Sequence, residues 1–114
     1  MVSNQEEKRR SPRIKLGIPL RYQVRGVPES RDVLSEDLST GGLSFTVPNF
    51  IAPATYVMLE LNILSKVLTS AGRVAWSVQI AHSDRYRLGI EFVELNPKER
   101  YYIGDYIDTR LNRF

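Results

Sequence analysis

The sequence predicts an all-β chain closed by a terminal helix, with about six short antiparallel strands rolled into a β-barrel and capped by a C-terminal α-helix. Three observations predict it. Short segments alternate apolar and polar residues, as half-buried strands do. Glycine, proline or an Asp-Ser-Gly cluster punctuates them. The last stretch then changes period, placing an apolar residue every three or four positions. A chain of 114 residues fits one domain with one core.

The elements follow in order. Residues 1–18 read as a flexible basic arm, in which Pro12 and Pro19 oppose a continuous helix; the barrel domain is expected over residues 19–114. Leu20, Tyr22 and Val24 alternate with Arg21, Gln23 and Arg25 until Gly26 ends the run. A second run, over residues 31–36, leads into the turn Asp37-Leu38-Ser39-Thr40-Gly41-Gly42. Leu43, Phe45 and Val47 form the next inward face, and Val57, Leu59, Leu61 and Ile63 the one after. Farther on the phase slips: Val67, Thr69 and Ala71 occupy odd positions, but Val74, Trp76, Val78 and Ile80 even ones. A β-bulge at Gly72-Arg73 is the expected cause. Leu88, Ile90 and Phe92 supply the last strand. Asn96, Pro97 and Glu99 then have the spacing of a helix cap. Tyr102, Ile103, Tyr106, Ile107, Leu111 and Phe114 form the apolar stripe of the helix that follows.

Composition narrows the function. Without cysteine there is no disulfide framework and no thiolate metal site. The single histidine, His82, excludes a site built on two imidazoles, so no metal or other cofactor is expected. No nucleophile, base and orienting acid can be assembled, and Glu36 and Asp37, adjacent on a strand, are expected on opposite faces. The chain is therefore expected not to be an enzyme. No apolar run spans a bilayer, and the polar residues 1–8 do not form a signal peptide, so a cytoplasmic protein with no membrane insertion is expected.

The formal charge of +3 is uneven. Lys8, Arg9, Arg10, Arg13 and Lys15 carry five positive charges, and without them the rest of the chain stands at −2. Proteins that bind duplexes spread Lys and Arg over a broad face, so DNA or RNA is not expected as a partner; a compact anion suits this distribution better. Arginine presents a charged planar fork that holds phosphate in bidentate fashion. Such a run near a terminus is also what a solvated tail looks like. Asp37 has the two acceptor oxygens that match the N1–H and N2 amino donors of guanine. Ser39, two residues on, adds a hydroxyl on the same side, and Gly41 and Gly42 allow positive φ and close approach. The same residues also suit a plain turn between strands.

Taken together, Arg9-x-x-x-Arg13 and, after 23 intervening residues, Asp37-x-Ser39-x-x-Gly42 resemble the signature of the PilZ domain family. Gly72-Arg73-Val74-Ala75-Trp76 is similar to its Gly-x-Val-x-Trp segment, and Leu88-Gly89-Ile90-Glu91-Phe92 to its Gly-Ile-x-Phe strand. The resemblance covers roughly residues 8–114. It implies a six-stranded barrel with the helix packed at one opening, and cyclic di-GMP as ligand. Arg9 and Arg13, with Arg10 adjacent, would hold phosphates and the guanine Hoogsteen edge. Asp37 and Ser39 would contact a guanine, and Gly42 would let the ligand approach. Trp76 is either a platform for a base, as in some relatives, or a core or rim residue. Lys8 occupies the position that, in some relatives, influences whether one ligand or a stacked pair binds.

Three functions compete on this reading. The first is a cyclic di-GMP receptor whose arm changes conformation on binding and signals to a downstream protein in motility, pili, chemotaxis or exopolysaccharide synthesis. The second is an adaptor of the same fold that works without nucleotide. The third is a single-stranded nucleic-acid binder on an OB-like barrel, disfavoured by the near-neutral charge beyond the arm.

Overall fold

The computed structural model describes residues 13–112; Lys8, Arg9, Arg10 and Phe114 lie outside the described residues. The elements are β1 (Pro19–Val24), β2 (Ser30–Leu34), β3 (Asp37–Leu38), β4 (Gly42–Val47), β5 (Tyr56–Ile63), β6 (Lys66–Gln79), β7 (Tyr86–Phe92) and α1 (Pro97–Leu111). The strands form one antiparallel sheet in the order β2-β1-β5-β6-β7-β4-β3.

The two ends of that order, β2 and β3, are separated in the chain only by Ser35 and Glu36. The Ser35 amide donates to Ile18 O at 2.9 Å, toward β1, and the Glu36 amide to Ser44 O at 2.8 Å, in β4. β2 and β3 thus act as one strand bent at Ser35-Glu36, whose halves serve opposite edges of the sheet. The sheet curls until it nearly meets itself, which protects edges that would otherwise invite pairing. This bend turns the six strands expected from sequence into seven.

Period-two alternation sets which residues fill the interior. In β5 it is unbroken, with Val57, Leu59, Leu61 and Ile63 buried and the residues between them exposed. Leu20 and Tyr22 from β1, Phe45 and Val47 from β4, and Leu88, Ile90 and Phe92 from β7 join them. Tyr22 and Phe45 pack ring against ring at 4.9 Å.

β6 departs from the expected pattern. Its core face runs through Leu68, Ser70, Gly72 and Val74, all even, while Val67 lies outside at 57% exposure. No slip occurs at Gly72-Arg73. The irregularity comes later, where Val74 pairs with Ile90 and Trp76 with Gly89, leaving Ala75 as the extra residue. Apolar residues on the outer face, Val67 before the bulge and Val78 after it, gave the misleading odd-to-even pattern.

The helix begins as its cap predicts. Asn96 Oδ1 accepts from the Glu99 amide at 2.8 Å, and Pro97 occupies the first turn. Ile103 and Ile107 are fully buried in the shared core, each contributing about 1.5–3 kcal/mol of apolar burial. The Tyr102 hydroxyl donates to Ile63 O at 3.1 Å, which ties α1 to the end of β5. Leu111 stays 45% exposed and takes no part in the stripe. Of the stretch assigned to the arm, residues 13–18 are seated on the barrel: Ile14 bridges Leu38, and Ile14 and Ile18 are buried. Among the described residues no helix is long and apolar enough to cross a membrane.

Candidate functional site

Register brings the candidate residues together on the outer face. Asp37 of β3 pairs with Ser44 of β4, Ser44 with Gly89 of β7, and Gly89 with Trp76 of β6. At about 4.8 Å per strand step, this row carries the sheet roughly 14 Å from Asp37 to Trp76. A hollow of about 410 Å³ lies along it, lined among others by Arg13, Asp37, Gly42, Trp76, Gly89 and Glu91. Two hollows of similar size, about 440 and 550 Å³, open elsewhere on the barrel, and neither is lined by any of the candidate residues.

Each wall has a physical cause. Arg13 reaches the site because Ile14 and Leu38 exchange backbone hydrogen bonds, both 3.0 Å, which hold the incoming segment beside β3. Its Nη1 then donates to Asp37 Oδ1 at 2.6 Å. The Asp37 side chain is 14% exposed and that of Arg13 48%, so the carboxylate is set into the barrel and the guanidinium lies over it. At the other end the indole of Trp76 covers Gly89, where any Cβ would overlap the ring. Trp76 is 43% exposed. It is not a core residue, and one face is available as an aromatic surface.

Ser39 and Gly42 each have a structural task in the turn. β3 ends at Leu38, so Ser39 opens the turn instead of extending the strand. Its hydroxyl is buried, accepts from the Gly41 and Gly42 amides at 3.1 and 3.2 Å, and donates to Gly42 O at 3.3 Å. Neither Gly41 nor Gly42 has a positive φ. Glycine is needed at 42 because a Cβ there would fall inside the Ile90 carbonyl of β7. The turn is also held from outside, where Arg100 of α1 donates to Thr40 O at 2.7 Å.

A charged chain completes the site. Arg87 of β7 sets its Nε 2.7 Å from Glu36 Oε1 and its Nη2 3.8 Å from Asp37 Oδ2. The Nε contact is an ion pair without an aligned hydrogen bond, since that N–H finds no acceptor in line. Thr46 donates to the other Glu36 oxygen. The adjacent carboxylates Glu36 and Asp37 therefore share one guanidinium, contrary to the opposite faces expected for neighbours on a strand. The bend between β2 and β3 cancels the alternation there. Arg73 and Glu91 pair at 3.2 Å beside the groove. Ser44 is buried with its hydroxyl unpaired.

Sequence reading missed Arg87, Glu36 and Gly89 as parts of the site. Gly89 stood within a quoted motif, and its service to Trp76 follows only from the β6–β7 register. Arg87 and Glu36 have no local signal, because the pair forms across β4. Among the described residues no group of three or more His, Cys, Asp or Glu side chains could hold a metal ion.

The curled antiparallel sheet and the helix packed against it define a small β-barrel fold with one terminal helix, and Arg13, Asp37 and Trp76 line one groove on it. A family model of the PilZ domain matches residues 7–109, and the chain belongs to the PilZ domain family. Solved structures agree in fold. The inhibitor of motility MotI/DgrA of Bacillus subtilis superposes with a TM-score of 0.77 at 16% identity, over 94% of this chain and 53% of that one. YcgR of Escherichia coli, solved in complex with c-di-GMP, gives 0.74 at 17% identity, over 93% and 46%. The K. pneumonia MrkH–c-di-GMP complex gives 0.70 at 19% identity, over 90% and 52%. This chain thus spans about half the length of these three proteins. No curated protein matches it by sequence.

Proposed function

We propose that this domain is a cyclic di-GMP receptor that acts by binding and not by catalysis. The observation that carries the reading is the groove in which Arg13, Asp37 and Trp76 meet on one face of the barrel. Arg9, Arg10 and Arg13 close on the phosphates and the Hoogsteen edge of a guanine. Asp37 accepts from the Watson–Crick donors of a guanine, and Trp76 stacks on a base. Ser39 acts through the turn: it fixes the Gly41-Gly42 backbone against which the ligand lies, and its hydroxyl is released to the ligand only if that turn opens. The Arg13–Asp37 pair must part for both groups to meet ligand. Binding therefore turns the Arg13 side chain from Asp37 to the nucleotide and brings the basic arm over the barrel, and the changed surface signals to a downstream protein.

The structures of YcgR and MrkH with c-di-GMP support the ligand, and the name of MotI, inhibitor of motility, supports a regulatory output. MrkH is described as a c-di-GMP-dependent transcription regulatory factor. For this chain the charge of −2 outside the basic segment favours a compact nucleotide over duplex DNA. In calorimetry, cyclic di-GMP is expected to bind the wild type, and the double variant Arg9→Ala/Arg13→Ala to lose about 2–5 kcal/mol per phosphate contact, beyond detection for a micromolar complex. Unchanged affinity in that variant overturns the assignment. A silent wild-type titration leaves the nucleotide-independent adaptor as the better reading.

A further inference from the structure

We propose that Arg87 is a positioning residue for guanine selection, holding the Asp37 carboxylate in place once Arg13 has left it. The inference rests on the reading of Asp37 as the group that meets guanine. Asp37 is flanked by two guanidiniums, Arg13 on Oδ1 and Arg87 toward Oδ2. They differ in how they are held. The Arg13 side chain, half-exposed and paired with Asp37, must swing to the phosphates while its neighbour Ile14 stays bridged to Leu38. Arg87 is built into β7, in register with Thr46 and Val78, and is anchored at its Nε by Glu36, which Thr46 in turn fixes.

At 3.8 Å from Oδ2, the Arg87 Nη2 lies beyond hydrogen-bond reach. It supplies an opposite charge on one side of the carboxylate without spending the lone pairs that two guanine donors need. It also offsets Glu36, whose charge would otherwise stand beside an anionic ligand. These two effects make different demands on the ligand. Charge offset serves any cyclic dinucleotide, because each carries two phosphates. Orientation of Asp37 serves guanine alone, because adenine lacks the paired N1–H and N2 donors.

The test is an NMR shift titration, which reaches millimolar dissociation constants, of cyclic di-GMP and cyclic di-AMP into wild type, Arg87→Ala, Arg87→Lys and Asp37→Ala. Thermal unfolding of each variant checks that it is folded. Arg87→Ala is expected to lose about tenfold in affinity for cyclic di-GMP and much less for cyclic di-AMP, so that the preference for guanine shrinks about tenfold. Arg87→Lys, which keeps the charge, should restore part of that preference. If Asp37→Ala loses the preference while Arg87→Ala keeps it, or weakens both ligands equally, the positioning role is refuted and the site survives. If Asp37→Ala itself keeps the preference, Asp37 is not the guanine-reading group and the reading beneath the inference falls with it.

Discussion

Two glycines show how single residues shape the groove, and they are expected to fail in different ways. At Gly42 an added Cβ meets the Ile90 carbonyl, which is backbone and cannot step aside. Gly42→Ala must push β4 from β7, and should cost about 1–3 kcal/mol or more, read as a lower urea midpoint. At Gly89 the atoms nearest the added Cβ belong to the half-exposed indole of Trp76. Gly89→Ala should barely change stability but should shift the tryptophan fluorescence and weaken nucleotide binding. Equal loss of stability in both variants contradicts this distinction. Tyr22 gives a pH signature: burial raises its pKa above the ordinary 10.0, and the nearby Arg31 charge works against that rise. Its contribution is fully present below pH 10 and is lost as pH rises through the higher folded value. Tyr22→Phe should therefore flatten the decline in stability above pH 10, as followed by urea unfolding across that range. The glycines were legible in the sequence as positions of special backbone, but their cause was not. Positive φ was expected, and close packing of a neighbouring strand or ring is what requires them.

Elements were legible where one face meets the core and the other meets solvent. β5 follows that rule throughout, β7 follows it except at Gly89, which Trp76 covers, and the helix follows it from its cap to Ile107. The cap is a local device and can be tested locally. Asn96→Ala removes the bond to the Glu99 amide and should cost about 1 kcal/mol, with Asn96→Asp retaining most of it. A loss well below half of that in thermal unfolding would mean that packing of Ile103 and Ile107 alone fixes the start of the helix. β6 was harder to read because Val67, Trp76 and Val78 are apolar on the outer face. Periodicity cannot tell a residue facing the core from one kept outside for another purpose. The bend at Ser35-Glu36 was hidden for a related reason: nothing local marks a strand whose two halves pair with opposite edges. Its consequence reaches the site, since it brings Glu36 and Asp37 to the same guanidinium.

At the scale of the molecule, the curl of the sheet assembles the groove from distant parts of the chain. Arg13, Asp37, Arg87 and Trp76 are spread over four segments, and only the strand order puts them side by side. The quoted motifs named the family and three of the walls, Arg13, Asp37 and Trp76, in advance, because each sits in a short segment with a readable spacing. The supporting charges did not carry a spacing of their own. α1 touches the same turn through Arg100 and Thr40, so the helix and the motif loop form one mechanical unit at the site. The most direct measurement of the central claim is an amide and indole NMR titration with cyclic di-GMP on the wild-type chain. Saturable shifts at Asp37, Gly42, Gly89 and the Trp76 indole N–H are the expected result. Shifts gathered instead around Val27, Phe50 and Ile51, which line the hollow of about 440 Å³, with the Asp37 row unmoved, would contradict it.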